Sequence, residues 1–350
     1  MPPPSPLRAA VLGCGAVSYA HLWSWRSLAP LVELVAAADP DAAALRRRGA
    51  AYGVPHLATD PAELLERQRP DLVSICTPPQ THRALVERAL GAGVRGILCE
   101  KPMALTPQDA AAMVRLCRES GVRLALGYQL RSQLHHREAA RQIQAGLIGP
   151  PTFARALCQG PMISVGTHTF DLLCFLLGDP ALEWVLGQAV FGEAPHGDRG
   201  YPEEVSSVGY YRFASGFTAL FEGGGAATRF HHVYLEGAAG RLEARPFEEP
   251  KVRYRRHGHA RWIPLGPLAD ADVPPLPDGL PSLPAERPRW DQDPPTATYP
   301  FRLELLELVR CVQEGRDHRA SGERGRASLE AVLGLYESAR RQALVPFPLV

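Results

Sequence analysis

The residues with the most chemical capacity lie in three short stretches. Glu100-Lys101-Pro102 sets a carboxylate beside an amine directly after an apolar run, Gly96–Cys99. Of 38 basic residues only Lys101 and Lys251 are lysines. An ammonium can be tuned by burial or neighbouring charge where a guanidinium cannot, which suits Lys101 to proton chemistry. A surface Glu–Lys pair is the plain alternative, but the carboxyl end of a strand favours the chemical reading. Gly13-Cys14-Gly15-Ala16-Val17-Ser18 follows the apolar run Leu7–Leu12. Glycines at 13 and 15 permit a tight turn and let the backbone approach a pyrophosphate, with Ala16 and Val17 opening the helix that would receive it. Ser18 stands where a third glycine is usual. Asp39 closes the second apolar run 26 residues after Gly13, where a carboxylate accepts from both ribose hydroxyls and repels a 2′-phosphate. NAD is therefore expected rather than NADP, with Arg46, Arg47 and Arg48 read as solvated. Cys76-Thr77-Pro78-Pro79-Gln80-Thr81-His82 breaks a third run at the same edge of the sheet; a proline-led helix start accounts for Pro78 and Pro79 but not for His82.

These stretches need elements to hold them. Strands are expected at Leu7–Leu12, Leu31–Ala38, Leu72–Cys76, Gly96–Cys99 and Arg123–Gly127, with helices at Ala20–Leu28, Asp41–Ala51, Pro61–Gln68, Thr81–Ala92 and Pro107–Ser120. Such alternation implies a doubly wound parallel sheet of the Rossmann type over residues 1–127. After residue 128 the pattern changes. A helix at Thr167–Leu177 precedes alternating segments at Val205–Phe213, Phe217–Glu222, His232–Glu236 and Arg241–Ala244, which predict an α+β domain on a large, open, mostly antiparallel sheet. Residues 264–300 hold eleven prolines, so no regular element is expected there, only a surface loop, lid or oligomer arm. Helices at Arg302–Glu314 and Ser328–Ala343 follow, the last of them expected to return to the first domain.

Composition limits the partners. Lys plus Arg number 38 and Asp plus Glu 37, a net charge of +1, which removes nucleic acid and anionic membranes as default partners. No apolar run approaches ~18 residues. The ~4 apolar residues between Arg8 and Gly13 fall short of a signal core of ~7–15. Seven cysteines without a CxxC pair read as reduced core residues of a cytoplasmic protein, and no metal site is expected. The basic run Arg253, Arg255, Arg256, His257, His259 and Arg261 reads as a solvated hairpin.

Taken together, Gly13-x-Gly15 with Asp39, the Cys76–His82 stretch, Glu100-Lys101-Pro102, Gly127-Tyr128-Gln129-Leu130-Arg131 and Gly166-Thr167-His168-Thr169-Phe170-Asp171 resemble the Gfo/Idh/MocA oxidoreductases. The resemblance implies a nicotinamide-dependent dehydrogenase or reductase acting on a sugar, cyclitol or related polyol. It implies that Lys101 hydrogen-bonds the reacting oxygen and that His168, at a helix start whose positive end disfavours imidazolium, exchanges its proton. Gly13, Gly15, Ala16, Val17, Asp39, Thr77, Pro78, Gln80, His82, Glu100, Lys101 and Gln129 would hold the cofactor. Tyr128, Arg131, Thr167 and Asp171, with Lys101 and His168, would line the substrate. A homodimer or homotetramer through the C-terminal sheet is implied in the same way. Ser164 departs from the pattern, standing four residues before His168 where many family dehydrogenases carry an aspartate. That leaves open carbonyl reduction with Lys101 as main donor, a non-catalytic dinucleotide-binding regulator, and a glycosidase with tightly bound NAD.

Overall fold

The computed structural model describes residues 5–192, 201, 204–225, 227, 229–269, 273–284, 291 and 296–349. Two compact units emerge: residues 1–104, 109–129 and 271–322 form one, and residues 105–108, 130–270 and 323–350 the other.

In the first unit six parallel strands run in the order β3-β2-β1-β4-β5-β6. They are β1 (Leu7–Leu12), β2 (Val32–Ala38), β3 (His56–Ala58), β4 (Leu72–Ile75), β5 (Gly96–Cys99) and β6 (Arg123–Leu126). Helices α1 (Ser18–Ser27), α2 (Ala42–Tyr52), α3 (Pro61–Gln68), α4 (His82–Gly91) and α5 (Pro107–Glu119) alternate with them. Local chemistry sets the ends. The Asp41 carboxylate caps α2 by accepting from Ala43 N (2.8 Å) and Ala44 N (3.1 Å), and Gly53 stops that helix at φ 61°. Asp60 and Pro61 start α3 in the same manner. The three-residue, mostly exposed β3 escapes sequence reading because it is too short to show a period.

In the C-terminal third the chain divides between the units. Residues 271–322, and with them the first of the two closing helices, group with the first unit. Helix α8 (Pro300–Glu314) is buried nearly all round, and a Cβ at Gly96 of β5 would lie 2.7 Å from Val312 and 3.2 Å from Leu308. Residues 273–284 of the proline-rich segment form no helix or strand, as expected, and lie at the surface with their leucines turned inward. Leu276, Leu280 and Leu283 pack on the first unit's core, and Trp23 Nε1 donates to Pro281 O (2.9 Å). Prolines lack N–H groups but keep their carbonyls. Arg302, fully buried, donates to the carbonyl oxygens of Pro274 (2.9 Å) and Ala297 (2.8 Å) and to Ser27 Oγ (3.0 Å). Residues 270–272, 285–290 and 292–295 lie outside the described residues.

The second unit holds nine strands ordered β14-β13-β12-β11-β7-β10-β9-β8-β15, all antiparallel neighbours except β10 with β7. They are β7 (Pro151–Gln159), β8 (Leu182–Phe191), β9 (Glu204–Phe213), β10 (Thr218–Gly224), β11 (His232–Gly237), β12 (Gly240–Ala244), β13 (Val252–Arg256), β14 (Ile263–Pro264) and β15 (Val345–Pro346). Helices α6 (Leu134–Gln144), α7 (Thr167–Leu176) and α9 (Gly322–Arg341) complete it. Helix α9 lies on this sheet: Tyr211 OH donates to Ala331 O (3.1 Å), and a Cβ at Gly209 would meet Leu335 at 2.7 Å. The outer faces of β8 and β9 expose Leu186, Val190, Val208 and Tyr210. Arg253 and Arg255 stack over Trp262 beside the β13–β14 turn, in keeping with a surface hairpin. Among the described residues no helix is long and apolar enough to cross a membrane. All seven cysteines are buried free thiols.

Candidate cofactor and proton-transfer site

In the first unit, strand order reverses between β1 and β4, and ligands of open α/β sheets bind at such a reversal, beyond the carboxyl ends of the strands. The turns there carry most of the expected cofactor residues. Gly13 adopts φ 97°, and a Cβ on it would lie 2.7 Å from the carbonyl carbon and oxygen of Cys76, so only glycine fits. Gly15 is exposed, and a Cβ there would meet nothing within 4 Å, an open backbone face of the kind a pyrophosphate needs. Ser18, the departure from the glycine pattern, donates from Oγ to Gly15 O (2.8 Å) and so closes the turn with a hydrogen bond.

Asp39 ends β2 half-buried. Its Oδ2 accepts from Cys14 N (2.6 Å) and its Oδ1 from Asp41 N (2.7 Å), which fixes the carboxylate while each oxygen retains a lone pair for a ribose hydroxyl. Arg46 and Arg47 are exposed as expected, but Arg48 is not simply solvated. Its Nη2 reaches toward Gly15 O (3.4 Å) and its guanidinium lies 5.6 Å from the centroid of the Tyr19 ring. Pro78 and Gln80 are exposed beyond β4, with Thr77 half-buried beside them, and Lys101 is half-buried beyond β5. An NAD molecule therefore fits the residues present: an open glycine face, an anchored carboxylate on β2, and a polar rim running to Lys101.

Two residues expected on that rim are elsewhere. His82 is fully buried, with Nε2 2.8 Å from Thr77 O and Nδ1 3.1 Å from Met103 O, and burial holds its pKa below the usual value. It ties the turn after β4 to the turn after β5. Glu100 is also buried. Its Oε1 lies 2.9 Å from His21 Nε2, its Oε2 accepts from Lys101 N (3.1 Å), and a Cβ at Gly127 would sit 2.9 Å from its carboxyl carbon. Tyr128 is fully buried and Gln129 nearly so.

In the second unit a π-helical turn, Met162–Gly166, delivers His168 to the start of α7. Glu204 anchors that turn, accepting from Met162 N (2.6 Å) and Tyr336 OH (2.6 Å). His168 is 6% exposed. Sequence reasoning missed its neighbour, His231, whose ring stands edge-on to it at a centroid distance of 5.7 Å. His231 holds φ 56°, a conformation uncommon outside glycine, and its Nδ1 lies 2.5 Å from Thr169 Oγ1. No local sequence signal marks it, because the contact joins α7 to the segment before β11.

Three residues expected against substrate are buried and hydrogen-bonded within the second unit. Arg131 is 1% exposed and donates from Nε to Asp171 Oδ2 (2.7 Å) and from Nη2 to Asp179 Oδ1 (2.7 Å). Asp171, fully buried, is pushed up to about 6 by that burial against the pull of Arg131, and it also accepts from Ser328 Oγ (3.3 Å). Both hold α7 in place through these contacts. Thr167 is buried with its hydroxyl directed to Ile163 O (3.3 Å).

Comparisons with known proteins agree with this arrangement. Residues 7–128 match the family described as oxidoreductases with an NAD-binding Rossmann fold. A D-apiose dehydrogenase of Paraburkholderia graminis is 28% identical over 95% of this chain and 88% of its own length. A D-glucoside 3-dehydrogenase of Escherichia coli is 32% identical over 52% of this chain and 57% of its own length. Among solved structures, a levoglucosan dehydrogenase in complex with NADH and levoglucosan has a TM-score of 0.79 and 18% identity, covering 99% of this chain and 100% of that one. Motifs and both sheets agree with that match: residues 7–128 carry the NAD-binding Rossmann fold of the Gfo/Idh/MocA oxidoreductases.

Proposed function

We propose that this protein is an NAD-dependent oxidoreductase that interconverts a hydroxyl and a carbonyl on a sugar, cyclitol or related polyol. Gly13, Gly15, Ala16 and Val17 receive the pyrophosphate, Asp39 takes the ribose diol, and Thr77, Pro78 and Gln80 flank the nicotinamide side. The bound nicotinamide supplies the hydride acceptor or donor. Lys101 donates a hydrogen bond to the reacting oxygen, and His168 takes or returns its proton. Roles of this kind contribute ~10²–10⁴-fold each. The relatives named for apiose and glucoside oxidation support the substrate class. The observation that carries the reading is the placement of half-buried Lys101 two residues beyond β5, on the same carboxyl edge as Gly15 and Asp39.

The purified protein is tested with NAD or NADP and with NADH or NADPH against polyols and keto-sugars in both directions. Turnover that prefers NAD is expected. Tight NADH binding without turnover on any sugar would refute the reading in favour of a non-catalytic regulator, and retained cofactor with glycoside cleavage would favour a glycosidase. The exposed apolar side chains of β8 and β9 support pairing of two copies through the second sheet, as a homodimer or within a homotetramer. Light scattering that finds only monomer at micromolar concentration removes that part.

A further inference from the structure

A directional hydrogen-bond chain crosses the first unit and ends at the backbone of Lys101. It begins at Trp25 Nε1 on α1, an indole N–H that can only donate, which meets Ser74 Oγ on β4 at 2.9 Å. Ser74 Oγ lies 3.2 Å from His21 Nδ1, and His21 Nε2 lies 2.9 Å from Glu100 Oε1. With the indole donating to Ser74, the serine hydroxyl hydrogen is directed to His21 Nδ1. His21 then carries its N–H on Nε2 and donates to Glu100. The second carboxylate oxygen, Oε2, accepts from Lys101 N at 3.1 Å. His21, Ser74 and Trp25 are fully buried, and Glu100 is 6% exposed. Gly127 packs so closely on the carboxylate that no side chain could enter between them.

We propose that His21 and Glu100 are positioning residues for Lys101: His21 holds Glu100 as a fixed anion, and Glu100 keeps Lys101 an ammonium. This rests on the reading of Lys101 as a site residue and deepens it by dividing the labour. Lys101 keeps its three protons and acts as a constant hydrogen-bond donor. In the oxidising direction the hydroxyl proton passes to His168 while hydride leaves from carbon with its electron pair.

The surroundings of Glu100 agree with an anion there. Burial pushes its carboxyl up, but the hydrogen bond and attraction of His21, followed by the Lys101 charge and backbone N–H, outweigh that and hold it below the ordinary value. The other titratable groups that face it among the described residues stay neutral. Cys76 beyond β4 and Cys99 on β5 are pushed well above the usual thiol value, by burial first and by the Glu100 charge second. His82 on α4 is held down by burial.

The chain contains only two lysines, so the state of Lys101 can be read directly in the whole protein without any substrate. Reductive methylation with ¹³C-formaldehyde labels Lys101, Lys251 and the terminal amine, and ¹³C chemical shift against pH gives each midpoint, with Lys101→Arg assigning the signal. Glu100→Gln preserves size and an acceptor but removes the charge. It should lower the Lys101 midpoint by about one unit or more, the usual effect of an opposite charge at close range, and leave Lys251 unmoved. His21→Phe should shift it the same way, and His21→Gln, whose amide can donate to Glu100, should restore it. An unchanged Lys101 midpoint in Glu100→Gln overturns the proposal even if His21→Phe fails to fold. A purely structural role for Glu100 would lower stability without moving that titration. Absence of turnover on every sugar would instead overturn the proposed function and leave this titration to be read.

Discussion

Arg131 offers the sharpest separation between a residue that meets substrate and one that holds the site in place. Its side chain is 2% exposed and that of Asp171 is 0% exposed. Replacing Arg131 with methionine leaves a buried carboxylate with its Ser328 contact and no cation, whereas Asp179 keeps Arg324 at 3.4 Å. Breaking one side of a buried pair is destabilising by ~3–5 kcal/mol. Proton uptake by Asp171, already pushed up to about 6, limits the loss at the lower end of that range near neutral pH. At ~2–4 °C per kcal/mol for a unit of this size, the melting transition should fall by roughly 6–12 °C. Scanning calorimetry reads the shift, and NADH titration checks the first unit, which should bind as before. Arg131→Met combined with Asp171→Leu should recover most of the loss, since an apolar pair of similar volume avoids the uncompensated charge. A melting transition within 2 °C of wild type, together with a raised KM for sugar, would refute this reasoning and return Arg131 to the substrate.

Asp39→Ala should weaken NAD binding and relax discrimination against NADP, because the Arg48 guanidinium reaches from α2 toward Gly15 and could meet a 2′-phosphate; unchanged selectivity in paired cofactor titrations would remove the ribose contact. Lys101→Ala or His168→Ala should each lower kcat by at least ~100-fold with little change in NADH affinity, measured by steady-state kinetics and fluorescence titration. Glu307 on α8 is held below its ordinary value because His318, Arg319 and Arg316 outweigh its burial. Its contribution to stability is therefore full above the ordinary carboxylate range and is lost as pH falls through its folded value. Glu307→Gln should lower stability at pH 7 and flatten the acid limb of a denaturation series, and parallel acid limbs for the two proteins would contradict the assignment.

The chain alone determined whatever is written locally. Continuous apolar runs ended by Gly13, Asp39, Thr77-Pro78 and Glu100-Lys101 marked both the parallel strands and the edge where their turns meet a ligand. Strand Leu7–Leu12, strand Gly96–Cys99 and helix Pro61–Gln68 have the bounds their residues suggested, since caps and periodicity act within a few positions. Tertiary structure alone decided which polar groups remain available. His82, Glu100, Arg131 and Asp171 have the residue types of a site, yet each is taken up by partners from other segments, at separations in sequence that no motif encodes. Strands β7 and β8 and the return of residues 271–322 to the first unit were decided in the same way. Their local patterns were ambiguous, and burial against distant segments selected one outcome. The proline-rich stretch shows this most plainly: proline content argued against a regular element, but Trp23, far away in sequence, and the buried Arg302 give its described carbonyl groups donors.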